Sequence, residues 1–516
     1  MSDQMTYWTA SAPPPEFPQL RQHEDADYAI VGGGIVGLTL ACLLAEQGQQ
    51  VVVLEGNRVL HGTTGHSTAK VTVQHDLIYS ELAAHFNIEN ARLYYETQDA
   101  ALQFMRRTAA AMPGGCEWSD EDAYLYASSA SATTKLMKEF ETYQQLGMPG
   151  QWLEEVPLPG LAASALKLPG QAQFHPVRYL NGLIARIVQA GGRIYEQTRI
   201  DAKLEHRGGR PLIRALHGPE ITARQVIACS QYPFYDGGGF YFARMHPAHS
   251  YIMAVQPEQP FPGGMYLSVD EPKRSLRAVT IDGQPMVLVA GESHQTGQGD
   301  PASVHFANLE RFATQTLGVR QIPYRWSAQD WQTLDKLPYI GPLSPGHPDV
   351  WVATGLRKWG MTGGTAAALL LRDLLLGVEN RYATLVTPAR FGIDPDLKAL
   401  VKENADVAKH LLAGKLTFPD RDPGHLRRQE GAAVVLAGKR AGAYRDAGGQ
   451  LHLVDTTCTH MGCECAWNDG ARTWDCPCHG SRFDADGQVL SGPAVKPLRR
   501  LLPGGEPADA TPVTFT

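Results

Sequence analysis

Apolar residues run in short unbroken blocks through the first part of the chain and in brief, turn-separated stretches near its end. Asp27-Tyr28-Ala29-Ile30-Val31 is a run of the kind that forms a strand buried on both faces. It enters Gly32-Gly33-Gly34-Ile35-Val36-Gly37. A helical stretch follows from Leu38 to Gln47, and a second apolar strand from Gln50 to Leu54 ends at Glu55. Similar blocks recur at Ala223–Ser230 and Val350–Gly355, and a helix is expected from about Gly364 to Leu376. Between Asp394 and Leu412, the residues Leu397, Leu400, Val401, Val407, Leu411 and Leu412 recur at helical spacing. Phe418-Pro419-Asp420-Arg421-Asp422-Pro423-Gly424 is a linker by composition. Beyond it, Ala433–Leu436, Ala443–Arg445, Leu451–Asp455 and Arg472–Asp475 are short strands. Asp446-Ala447-Gly448-Gly449 and Asn468-Asp469-Gly470 are hairpin signals between them. The pattern predicts an α/β domain followed by a small all-β domain.

The glycine run fits G-x-G-x-x-G, and its strand–turn–helix–strand setting gives each glycine a task. Gly32 allows the tight turn, Gly34 lets the backbone approach a pyrophosphate, and Gly37 lets the helix pack on the strand. The helix N-terminus offers amide donors to phosphate, and Glu55 is placed to accept from the adenosine ribose hydroxyls. The fingerprint specifies a dinucleotide and leaves FAD and NAD both open.

Near the C-terminus, Cys458-Thr459-His460-Met461-Gly462-Cys463 and Cys476-Pro477-Cys478-His479-Gly480-Ser481 read C-x-H and then C-x-x-H. Two thiolates and two imidazoles at this spacing suit a Rieske [2Fe–2S] centre, with Cys458 and Cys476 on one iron and His460 and His479 on the other. A tetrahedral zinc site uses the same four side chains. Each loop carries an extra cysteine, Cys463 and Cys478, placed where a disulfide could tie the loops together. Cys465 has no obvious partner and is read as a free structural thiol.

The second loop resembles the cluster loop of Rieske proteins in cytochrome bc complexes, which favours iron–sulfur over zinc, and Gly492-Pro493-Ala494 resembles their cluster-covering loop. Ser481 matches their hydroxyl donor to a bridging sulfide. Phe483 stands where they carry a tyrosine, which implies a potential below the respiratory proteins and above the dioxygenase type. The first part of the chain, about residues 25 to 390, resembles the D-amino-acid oxidase and glycine oxidase family. The matching pieces are Gly62-Thr63-Thr64-Gly65-His66-Ser67, Phe174-His175-Pro176, Gly191–Glu196, Asp335–Gly341 and Lys358-Trp359-Gly360-Met361-Thr362. That resemblance implies FAD, a flavin domain in pieces at about 25–85, 150–240 and 335–390, and an antiparallel substrate-side sheet at about 241–334. It further implies flavin contacts from Thr63, Thr64, His66, Gly355, Lys358, Gly360, Met361 and Thr362. Lys358 and Thr362 are the first candidates to line the isoalloxazine, and His66 is a noncovalent polar neighbour in preference to a covalent anchor. Arg244, His249, Tyr251 and Arg325 are candidates for substrate contact. Such a chain divides into an N-terminal arm (1–24), the oxidoreductase domain (25–392), a helical connector with linker (393–425) and the Rieske domain (426–516).

Bulk properties narrow the partners. A chain of 516 residues with net charge −7 and no Lys/Arg cluster has no footprint for nucleic acid. No apolar run approaches the length of a membrane span, and Met1 to Glu24 lacks the pattern of a signal peptide. Of eight cysteines, Cys42, Cys116 and Cys229 are scattered outside the cluster region, which points to a reducing cytoplasm. The expected activity is FAD-dependent dehydrogenation of a small amine or amino acid at a CH–NH bond. Electrons then leave one at a time through the cluster to an unknown one-electron acceptor. A redox sensor or electron carrier, and less favourably a Rieske oxygenase, are the alternatives.

Overall fold

The computed structural model describes residues 5–158, 161, 164–216, 218–390, 407, 411, 419 and 421–508. The expected α/β domain is present. Strands His347–Thr354, Glu220–Ala228, Glu24–Val31, Val51–Leu54 and Arg193–Tyr195 lie side by side in that order, all parallel. Tyr339–Ser344 closes one edge antiparallel. The helix Ile35–Ala45 is buried at every position, because it is apolar all round and packs between this sheet, the helix Gly360–Leu375 and the helix Pro176–Gln189.

A second sheet, nine-stranded among the described residues, stands over the first. Its long strands Met245–Pro257, Val319–Thr333, Gln284–Gln295 and Arg274–Ile281 come from the expected segment. Met265–Ser268 then pairs parallel with Ser119–Ala127, and the sheet continues through Ser164–Gln173 to Lys70–Val71, with Gln151–Leu153 beside Ser164–Gln173. The stretch 151–173 had been expected among the flavin pieces. It joins this sheet because Leu166 and Leu168 fill the main core only when paired with Ala123–Ala127. Strand alternation divides the two faces. Ile252, Ala254, Trp326 and Ala328 enter the core shared with the parallel sheet, whereas Tyr251, Met253 and Val255 enter a separate core under the helix Ala302–Leu317.

The C-terminal domain is all-β, with a three-stranded sheet (Glu430–Leu436, Lys439–Arg445, Leu451–Val454) and a four-stranded one (Ala466–Asn468, Thr473–Asp475, Arg482–Phe483, Val489–Ser491). The expected hairpin at Asp446 closes through Gly449 N donating to Asp446 O. The connector helix expected over Asp394–Leu412 lies outside the described residues except for Val407 and Leu411, which pack against the cluster-loop core. Most of the linker does lie within them.

The all-β domain docks on the second sheet and on the edge of the first. Ala302 N donates to Asp469 Oδ1 (2.8 Å), Gln298 Nε2 to the Pro477 carbonyl (3.2 Å) and Arg199 to the Val489 carbonyl (2.8 Å). Gly297, at φ +74°, lets the backbone of the second sheet's loop approach Pro477; a Cβ there would stand 2.7 Å from the Pro477 nitrogen. Among the described residues no helix is long and apolar enough to cross a membrane.

Candidate active site and metal centre

Two tight turns build the metal centre. Gly462 N donates to Cys458 O (2.9 Å) and Gly480 N to Cys476 O (3.0 Å), so each loop folds its cysteine and histidine to one side. A Cys463–Cys478 disulfide joins the loops. The His460 and His479 rings stand 5.0 Å apart and nearly perpendicular, and both meet the edge of Phe242 from the neighbouring domain, at 5.8 and 5.7 Å. His479 is 3% exposed, and its Nδ1 is buried with no hydrogen-bond partner among the described residues. An orphaned imidazole nitrogen beside converging thiols is what an iron ligand requires, so the residues fit a Rieske cluster.

Cys465 is a free, buried thiol, as read from the sequence, but it is not remote from the centre. Its Sγ lies with those of Cys458 and Cys476, all within 4.8 Å of one another, because Cys465 N donating to Thr456 O folds the chain back beside the loops. It forms no disulfide. Ser481 is fully buried and its Oγ accepts from Ala494 N (3.0 Å), which ties the Gly492-Pro493-Ala494 loop to the cluster loop. Phe483 is fully buried in the same core.

At the dinucleotide fingerprint, Gly32 adopts φ +120°, and a Cβ there would stand 2.5 Å from the Cys229 carbonyl oxygen. A Cβ at Gly37 would overlap the Gly32 oxygen, so strand and helix touch only because both are glycine. Gly34 caps the helix Ile35–Ala45. Glu55 accepts from Gly33 N and Asn57 N, each at 2.8 Å; burial pushes its carboxyl up while these two amides oppose the shift. Its remaining lone pairs are available to a ribose. Thr64 Oγ1 accepts from Ile35 N (3.1 Å) and Thr63 Oγ1 donates to the Gln329 carbonyl (2.8 Å), so the small-residue loop bridges the helix N-terminus and the second sheet. His66 holds this loop through Nδ1 against the Gly62 carbonyl (2.9 Å). Gly364 meets Ile35 and Val36, which brings the first turn of Gly360–Leu375, with Gly360, Met361 and Thr362, against the fingerprint helix. Gly355 precedes that turn at φ +73°.

Lys358 is exposed as a residue, and the protein packed around its ammonium pushes the pKa down, with Asp330 opposing the shift. Across from it, Asp330 is pushed up to about 7 by burial, against the pull of Lys358. Two glycines whose Cβ would overlap backbone, at the N-terminus of a buried helix, fit the pyrophosphate of a bound FAD.

Other candidates are held in contacts away from Lys358 and Asp330. The Thr362 hydroxyl is turned inward, donating to the Thr72 carbonyl (3.0 Å) beside His75 Nε2 (2.9 Å). Arg244 donates to the Gly239, Pro388 and Arg390 carbonyls and stacks 4.2 Å from the Tyr339 ring, which makes it a structural clamp. Tyr251 and His249 lie on the opposite sheet face, where Tyr251 OH meets His294 Nε2 (3.0 Å). Their strand is right and their parity is wrong. Arg325 pairs with Glu310 at the surface (2.7 Å). Sequence reasoning missed Asp330, Gln329 and Phe242. The alternation of Trp326, Ala328 and Asp330 carried the signal for Asp330, and for the other two there was none.

Comparison with known proteins agrees with the two-part fold. The family model for FAD dependent oxidoreductases matches residues 27–374, and that for the Rieske [2Fe-2S] domain matches residues 418–502. The Rieske 2Fe-2S iron-sulfur protein YhfW of Bacillus subtilis (strain 168) is 48% identical over 497 residues, 96% of this chain and 97% of that one. Among solved structures, glycine oxidase from Geobacillus kaustophilus superposes with a TM-score of 0.59 at 20% identity, covering 72% of this chain and 100% of that one. L-proline dehydrogenase from P. horikoshii gives 0.60 at 16% identity, covering 71% and 98%.

Proposed function

The chain belongs to the FAD dependent oxidoreductase family and carries a C-terminal Rieske [2Fe-2S] domain, and from that premise we propose that it dehydrogenates an amine or amino acid and delivers the electrons through its cluster to a one-electron acceptor. FAD, when bound, accepts two electrons from such a substrate, and a [2Fe–2S] cluster carries one at a time. The docking of the cluster loop on the second sheet is the observation that carries the reading. Gln329 Nε2 donates to the Gly480 carbonyl at 3.1 Å, from a strand whose other face, at Trp326 and Ala328, enters the core shared with the parallel sheet. The names of the two solved neighbours, an oxidase of glycine and a dehydrogenase of L-proline, support a substrate with a CH–NH bond.

The residues then have separate tasks. The amides at the start of Ile35–Ala45 hold the pyrophosphate and Glu55 holds the ribose. Lys358 offers a cation to an anionic part of the substrate or of the flavin ring. An amine must lose its proton before oxidation, and the Asp330 carboxylate, with a pKa pushed to about 7, is placed to hold that proton. The sheet above excludes water. Cys458 and Cys476 bind one iron, His460 and His479 the other.

Cys476→Ser separates the two halves. Substrate should still bleach the flavin in a single turnover, while transfer to ferricyanide falls to background. Full steady-state activity in that variant would remove the cluster from the electron path.

A further inference from the structure

The strand Val319–Thr333, at the edge of its sheet, touches both the small-residue loop at Thr63 and the cluster loop at Gly480. Trp326 and Ala328 enter the core shared with the parallel sheet, and Asp330 has their parity. Gln329 has the opposite parity, is 4% exposed, and reaches the cluster domain through the bond from Nε2 to the Gly480 carbonyl. Gly480 directly follows His479, the more buried of the two histidine ligands. The main-chain carbonyl of the same Gln329 points the other way and accepts from Thr63 Oγ1 (2.8 Å) and from Gln231 Nε2. Gln231 Nε2 also donates to Thr63 Oγ1 (2.6 Å), and Thr64, the next residue, bonds the N-terminus of the fingerprint helix. One residue therefore joins the loop on the flavin side to the loop on the cluster side by an unbroken series of covalent and hydrogen bonds.

Electron tunnelling follows such a series more readily than it crosses a van der Waals gap. We propose that Gln329 is the relay through which the flavin half passes electrons to the cluster, with His479 as the receiving ligand. The proposal rests on the reading that the flavin reduces the cluster, and adds the route. Each transfer removes one electron from the reduced flavin and adds one to the oxidised cluster. Reoxidation of the cluster by a one-electron acceptor, ferricyanide in the assay, allows the second transfer, and the flavin's protons go to solvent. Gln329 touches neither reacting atom and acts by position.

The test uses the full-length holoprotein. The flavin is photoreduced anaerobically with EDTA as donor, and cluster reduction is followed by its optical bleaching and its EPR signal. Gln329→Met keeps the length and removes the donor. It should slow cluster reduction at least tenfold, with iron and FAD content, EPR g-values and cluster potential unchanged. Gln298→Leu breaks a different bond of the same interface, to the Pro477 carbonyl, and should leave the rate unaltered. If Gln329→Met fails to assemble its cluster, Gln329→Asn, which withdraws the amide by one methylene, makes the same comparison. An unchanged rate in the Gln329 variant, or equal slowing in the Gln298 variant, overturns the relay and leaves only a docking contact. A wild-type cluster that stays oxidised beside reduced flavin overturns the parent reading, and the relay with it.

Discussion

Ser481 and Phe483 are both fully buried beside the cluster loops. Ser481 Oγ accepts from Ala494 N, so its own proton is free to be donated towards the cluster sulfurs. Phe483 fills the same buried core and donates nothing. In Phe483→Tyr, a hydroxyl in this closed space is stabilised by donating to a ligand sulfur, which favours the more negative reduced cluster. A hydrogen bond to a charged group is worth about 1.5–3 kcal/mol. Only the part that differs between oxidation states moves the potential, so protein-film voltammetry should show a rise of tens of millivolts. An unchanged or lowered potential would mean that position 483 does not face a ligand sulfur. The Cys463–Cys478 disulfide was legible because each of the two short loops carries one extra cysteine beside its Cys/His pair. The approach of Cys465 to Cys458 and Cys476 was not, since it depends on the fold-back at Thr456. Tyr251 and His249 were misread for a similar reason: sequence places them on a strand, and only register tells which face they take.

Elements read well where their period is local. The strand–turn–helix–strand at Asp27–Glu55 emerged nearly as expected, whereas the second sheet recruits Lys70–Val71, Ser119–Ala127 and Ser164–Gln173 over sequence separations that no local pattern encodes. Helix ends carry their own test. Glu139, fully buried on the helix Ala130–Leu146, accepts from Tyr79 N (2.9 Å) and Ser80 N (2.8 Å) and so caps the start of the helix Ile78–His85. Burial pushes its pKa up from 4.5 to about 7, against the bonds from Ser80 and Tyr79. The folded state thus keeps a proton that the unfolded chain releases, and this stabilisation is full below pH 4.5 and is lost as pH rises to about 7. Glu139→Gln lacks the titration. The stability difference between wild type and variant should shift in the variant's favour by about 3 kcal/mol across that window. Denaturant unfolding at the two ends of the range checks it, and a pH-independent difference would contradict it.

At the scale of the whole molecule, the Rieske domain docks on the second sheet of the oxidoreductase domain. Phe242, Gln329 and Gly297 from the first domain meet the histidine loops of the second. The presence of both domains was legible from two motifs, each complete within a few dozen residues; their contact was not, because it is made by side chains scattered from Arg199 to Gln329. The most direct measurement is anaerobic mixing of the holoprotein with a panel of amines and amino acids, recorded by flavin absorbance and by freeze-quench EPR. The account predicts that a substrate which bleaches the flavin also brings up the reduced Rieske signal, and that both changes reverse when ferricyanide is added. A flavin that bleaches while the cluster stays oxidised, or a panel in which no CH–NH compound bleaches it, would contradict the account.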